Sequence, residues 1–225
     1  AIDADKSRIA RLKRMGKQPA NRFEQAVSTL KAFVRSREHD RIGMAVFAKD
    51  AFLQFPLTLD YRTILQMLGR LELGDIDEGG TAIGNALGRA VAGLQDSGAE
   101  TKIVILITDG DRRGGNISPM QAAKLAADQN IKLFPILVGQ DGPTLIPVNV
   151  HSLFGGQDVR YRQQKFPVNP ALLKKIAGRT DGQFYRASDG EGLEKRLHDI
   201  LDRFERTELQ DQSTVRRTER FEPFV

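Results

Sequence analysis

The chain has 225 residues, 40% of them hydrophobic and 28% charged, with a net charge of +5 and no cysteine. That is enough apolar chain for one full-sized core, and it excludes disulfides, thiolate metal centres and cysteine nucleophiles. No apolar run nears the roughly eighteen residues of a membrane span, and no secretory leader is visible at Ala1-Ile2-Asp3.

The positive charge is uneven. Lys6, Arg8, Arg11, Lys13, Arg14 and Lys17 follow one another with no acidic residue between them, and Arg216, Arg217 and Arg220 gather near the other end. Two solvated ends are the plain reading; contact with anionic headgroups or an acidic partner is the sharper one. Nucleic acid is not expected, because no binding motif or aromatic-basic interleaving accompanies the charge.

From Asn21 the pattern becomes regular. Phe23, Ala26, Val27, Leu30, Phe33 and Val34 recur at helical spacing behind an Asn21 cap. Arg41 to Ala48 reads as a strand, Lys49-Asp50 as a turn, and AFLQF as a second strand, the two pairing as a hairpin. Helices follow at Tyr61 to Leu71 and at Ile83 to Leu94, separated by an acidic, glycine-bearing loop, Gly74 to Gly80. The run Ile103 to Ile107 is continuous and β-branched, which predicts the most buried strand, a parallel one covered on both faces.

Next comes a helix from about Ser118 to Gln129, with Ser118 as cap and Pro119 in its first turn. Lys132 to Val138 is a strand that Pro135 pushes towards an edge or a bulge, and residues 139–167 read as irregular. A helix (Pro170 to Arg179), a short strand (Gln183 to Arg186) and a long helix (Gly190 to Arg206) complete the order. Strand-helix alternation of this kind predicts an α/β fold with a doubly wound, mostly parallel sheet.

Several chemistries have no motif here. There is no G-x-x-x-x-G-K-[ST] loop, no strand followed by G-x-G-x-x-G, no G-x-S-x-G elbow and no H-E-x-x-H. His39, His151 and His198 are scattered and read as surface or boundary residues. Two loops remain. Gly79-Gly80-Thr81 precedes a helix, and Thr108-Asp109-Gly110 ends a strand, where open α/β sheets gather their ligands. A hydroxyl and a carboxylate are hard oxygen donors suited to Mg²⁺, Mn²⁺ or Ca²⁺. Taken singly, Thr81 is equally a helix cap and Asp109 equally the start of a turn.

The stretches NRFEQAVSTLKAFV, DRIGMAVFAKDAFLQFPLTLD, GGTAIGNALGRAV, IVILITDGDRRGGNISPMQAAKLA and NPALLKKIAGRTDGQFYRASDGEGLEKRLHDILDRFERTE stand in this order over residues 21–208. In that order the chain resembles a von Willebrand factor A-type domain, of the membrane-tethered kind found in bacterial BatA/BatB aerotolerance proteins. The family's metal ion-dependent adhesion site combines a D-x-S-x-S loop, a Thr from a GGT-like loop and an Asp from a TDG loop. The resemblance therefore implies that Thr81 and Asp109 are metal-site residues. Asp3, Asp5 and Ser7, in Asp3-Ala4-Asp5-Lys6-Ser7, are the candidates for a substituted first loop. The preferred alignment instead makes residues 1–20 a basic extension and leaves the first central strand and its D-x-S-x-S loop missing. A site reduced in this way binds Mg²⁺ or Mn²⁺ weakly or not at all.

The resemblance further implies a non-enzymatic protein-protein interaction module, its cation completed by an acidic side chain of the partner. Such a module belongs to an envelope- or stress-related complex with a MoxR-type ATPase and tetratricopeptide-repeat partners. Asp111 and the acidic residues Asp75 to Glu78 border the site. Residues 209–225, basic and then aromatic without a helical stripe, read as a juxtamembrane tail suited to a membrane interface. The resemblance then implies that the parent protein sits in the bacterial inner membrane with the domain on the periplasmic side. The rival readings are a metal-free structural or assembly domain and a metal-dependent phosphoryl or ester hydrolase. The hydrolase has no base or nucleophile placed beside the carboxylates.

Overall fold

The computed structural model describes residues 21–72, 80–109, 114–139, 144–151, 157–164 and 168–218. Helix α1 (Arg22–Arg35) starts at the predicted cap. The Asn21 side chain accepts the Glu24 N–H at 2.9 Å, and the Glu24 carboxylate accepts the Asn21 N–H at 2.9 Å, so two orphan donors of the first turn are satisfied reciprocally. The predicted hairpin forms, with β1 (Ile42–Phe47) antiparallel to β2 (Ala51–Thr58). Pro56 falls where the register shifts between Ile42 and Met44, an irregular place where a missing N–H is tolerated.

Helices α2 (Tyr61–Arg70) and α3 (Ile83–Gln95) lead to β3 (Lys102–Thr108). After it come α4 (Pro119–Asp128), β4 (Ile131–Val138), β5 (Thr144–His151), β6 (Gln157–Gln164), α5 (Pro170–Gly178), β7 (Tyr185–Ala187) and α6 (Gly190–Thr218). Pro119 opens α4 as predicted, and the Gln121 side chain accepts the Ser118 N–H at 3.2 Å.

Strands β3, β4 and β7 form a parallel sheet with β4 in the middle. The alternation of β4 divides the core in two. Ile131, Leu133 and Leu137 join Val104 and Leu106 under α3, α4 and α5. Phe134, Ile136 and Val138 face the other way and meet Phe33 and Val34 of α1, Ile64 and Leu68 of α2, and Leu193, Leu197, Ile200 and Leu201 of α6. Helices therefore cover both faces, which is the doubly wound arrangement. The stripe predicted for α6 is the one that packs, its Phe204 ring meeting Phe134 edge-on at 5.6 Å.

Among the described residues no ladder joins β1–β2 to β3–β4–β7. Helix α3 packs on β1, β2 and β3 alike and holds the two sheets in one body. One edge of β3 has no strand beside it among the described residues.

Four expectations are corrected. Strand β3 is not the most buried: Ile103, Ile105 and Ile107 are only half-buried, while β4 is buried almost throughout. Strand β4 is not an edge despite Pro135, because its ladder to β7 begins at Ile136, just past the proline. Residues 139–167 are not wholly irregular, since β5 and β6 pair antiparallel over eight residues each. The last helix does not stop at Arg206 but runs to Thr218, through part of the stretch read as a tail. Among the described residues no helix is long and apolar enough to cross a membrane.

Candidate functional site

The carboxyl ends of β3 and β4 lie level, Thr108 beside Leu137. The next residues, Asp109 and Gly139, open the edge where a doubly wound sheet collects its ligands. The Asp109 side chain is 55% exposed, and its Oδ2 lies 3.5 Å from Nη1 of Arg22, which is 8% exposed. Arg22 is the first residue of α1, so the Asn21 cap fixes where its side chain starts. Gly139 has φ +113° and donates its N–H to the Ala187 carbonyl at 2.8 Å. A Cβ built on it would stand 2.3 Å from Cζ of Arg22, so the guanidinium lies directly on the glycine backbone. Two demands thus coincide at one position: a conformation that glycine tolerates and the absence of a side chain.

Thr81 is half-buried in the loop before α3. It is not the helix cap. Ala82 occupies that position without a side-chain hydrogen bond, and the Thr81 hydroxyl has no partner among the described residues. Its neighbour Ala82 donates its N–H to the Ala48 carbonyl at 2.7 Å, which ties this loop to the turn after β1.

The Thr81 loop and the loop that follows Asp109 are braced by Asn85. Its Nδ2 donates to Asp50 Oδ1 at 2.9 Å, and its Oδ1 accepts the Ile117 N–H at 3.0 Å. The β1–β2 turn, the start of α3 and the β3–α4 loop therefore meet in one side chain. The Asn85 amide and then the Ala51 N–H, at 2.8 Å, hold the Asp50 carboxyl below its usual range, with help from the charge of Arg89. Gly115, at φ +84°, comes so close to Ala82 that an added Cβ would stand 3.1 Å from its methyl.

Sequence reasoning named Thr81 and Asp109 but missed Asp50, Asn85 and the role of Arg22. A signal for the brace was available. Gly84 and Gly88 lie four apart on α3, and both turn to Ile117; two glycines on one helix face mark a close approach of backbone. No comparable pattern announces Arg22, whose partner is 87 residues away. Asp3, Asp5, Ser7, Asp111 and the acidic residues Asp75 to Glu78 lie outside the described residues. His39 has a side chain 94% exposed, and His198 packs edge-on against Phe33 at 6.4 Å, so both are ordinary surface or boundary residues.

The donor set fits a hard divalent cation poorly. Among the described residues no three His, Cys, Asp or Glu side chains gather to hold a metal. Thr81 and Asp109 offer two oxygens, where such ions take six or more, and the Asp109 carboxylate is already paired with a cation of the chain itself.

The von Willebrand factor type A domain family matches residues 13–202. A curated relative, an uncharacterized protein of Borreliella burgdorferi, is 27% identical over 182 residues, which are 80% of this chain and 51% of that protein. The chain thus spans about half the length of that relative. Among solved structures, the conserved hypothetical protein BatB of Bacteroides thetaiotaomicron is similar with a TM-score of 0.67 and 27% identity, over 82% of this chain and 89% of that one. An aerotolerance-related membrane protein of Bacteroides fragilis follows with a TM-score of 0.64 and 27% identity, over 81% and 89%. Fold, element order and family match agree: the chain belongs to the von Willebrand factor type A domain family.

Proposed function

We propose that this domain is a non-catalytic protein-protein interaction module that meets its partner at the carboxyl edge of β3. One observation carries the reading: an exposed Asp109 carboxylate and a Thr81 hydroxyl that has no partner among the described residues stand on loops that Asn85 braces together. A rigid, partly unsatisfied polar edge on a packed scaffold suits recognition, because little ordering is needed on binding. Thr81 and Asp109 are the residues that would hold Mg²⁺ or Mn²⁺, with Ca²⁺ the third candidate, and an acidic side chain of the partner would supply a further ligand. The chemistry of the edge gives no support to a hydrolase, since neither the exposed His39 nor His198, which packs on Phe33, lies at this site.

The likeness to an aerotolerance-related membrane protein of Bacteroides fragilis supports a place for the parent protein in a membrane-anchored envelope complex. The family resemblance adds the bacterial inner membrane, the periplasmic side, and MoxR-type ATPase and tetratricopeptide-repeat partners to this reading.

Site-specific photo-cross-linking in cells tests the contact. A photoreactive residue at Met120, exposed in the first turn of α4, should capture a partner, and Thr81→Ala or Asp109→Asn should abolish the product. The same probe at Phe52, exposed on β2, serves as the control. A cross-link at Met120 that survives both substitutions refutes the site. Recovery of the full-length protein in the soluble cytoplasmic fraction would refute the membrane placement.

A further inference from the structure

The charge that meets Asp109 comes from the chain itself. Arg22 is buried to 8% exposure, and a buried guanidinium persists only when paired. Asp109, at 55% exposure, is solvated on its own and has no such need. The pair therefore matters more to Arg22, which Asp109 helps to neutralise, than to Asp109. The seat of the guanidinium is also shaped for it, because any side chain at Gly139 would intrude within 2.3 to 2.8 Å of its Cζ, Nη2 and Nε atoms. Three elements fix that seat. The Asn21 cap sets the start of α1, the Gly139–Ala187 hydrogen bond holds the backbone beneath, and the end of β3 presents the carboxylate.

We propose that Arg22 is the built-in counter-cation of this edge, which neutralises Asp109 and makes a divalent ion compete with an internal ion pair for it. This rests on the assignment of Asp109 to the candidate cation site. A divalent ion on the free side of the carboxylate would stand roughly 6 Å from the guanidinium; at that distance, even with the dielectric constant of water, the repulsion weakens binding about ten-fold. The poor fit of the donor set to a cation and the presence of Arg22 are then one fact: the charge a metal would bring is already supplied.

Mn²⁺ titration of the whole chain, read by the paramagnetic resonance of free Mn²⁺, tests this with Arg22→Gln, Arg22→Lys, Asp109→Asn and Arg22→Gln/Asp109→Asn. Wild type and Arg22→Lys should bind weakly, Arg22→Gln about ten-fold more tightly, and the double variant should lose that gain. A folded Arg22→Gln that binds no more tightly than wild type, or a gain that persists without Asp109, overturns the proposal. Should Arg22→Gln not fold, the Arg22 Nε–Hε resonance decides. Asp109→Asn must shift it, and Mg²⁺ added to wild type must shift it the same way, whereas an unmoved signal in either case overturns the proposal. These outcomes are separate from those of the cross-linking test. A tighter Arg22→Gln together with a Met120 cross-link indifferent to Asp109 would refute the partner contact and leave the counter-cation standing.

Discussion

Strands β3 and β4 have nearly the same composition, KIVILIT against IKLFPILV, and opposite circumstances. β4 has β3 on one side and β7 on the other, and Leu133, Phe134, Ile136 and Leu137 are 1% exposed or less. β3 is flanked on one side only among the described residues, and every second side chain, Ile103, Ile105 and Ile107, stays half-buried. An apolar run reports that a strand can be buried from both faces. It says nothing about its two edges, which depend on what the rest of the chain brings alongside. Asp109, the candidate site residue, follows the less enclosed of the two strands.

Substitutions in the two strands sharpen the contrast. Ile136→Ala in β4 should cost about 3–5 kcal/mol in urea unfolding, because a fully enclosed side chain leaves a cavity that cannot collapse. Ile105→Ala in β3 should cost about 1–2 kcal/mol, since half of the side chain is already hydrated. Equal costs would mean that β3 is closed in solution by something absent from the described residues. Pro135→Val should change stability by no more than about 1 kcal/mol, because the β7 ladder begins one residue later. A larger loss would show that the ring itself is needed in the core.

The smallest effect belongs to the loop brace. Asp50 has a carboxyl pKa lowered from 3.8, first by the Asn85 amide. A depressed folded value means that its contribution is present above the unfolded value and fades as pH falls through the folded one. Asn85→Ala should therefore raise the Asp50 midpoint towards 3.8 and move the onset of acid destabilisation upwards, as followed by carboxyl-carbon NMR. An unchanged midpoint would show that the Ala51 N–H alone holds it down.

Much of the fold was legible because its signals are local. The Asn21 capping box, the Ser118-Pro119 start of α4 and the Leu193–Leu197–Ile200–Leu201 stripe of α6 all sit within a few turns of one helix, and each appears where the pattern put it. The failures share a different cause. The burial of β3 and the place of β4 depend on strand neighbours distant in sequence. The β5–β6 hairpin carries Pro147 and the polar run Gln163-Gln164, so its propensities are weak, and only the pairing reveals it. The site divides in the same way. Thr81 and Asp109 are candidates that short motifs suggest, while the Arg22–Asp109 pair and the Asp50–Asn85–Ile117 brace are long-range contacts that no local rule encodes.

Gly84 turns this into a practical matter for anyone stabilising the domain. A glycine inside a helix is the first position an engineer replaces, because alanine there normally gains about 0.5–1 kcal/mol. On α3 the same replacement would set a methyl 1.9 Å from the Ile117 carbonyl oxygen, against backbone that cannot step aside without moving Ala82, Asn85 and the loop beyond them. In a mutational scan, position 84 should therefore admit glycine alone, and the sequence change that looks most conservative on a propensity scale would be the one that drives α3 off its neighbouring loop.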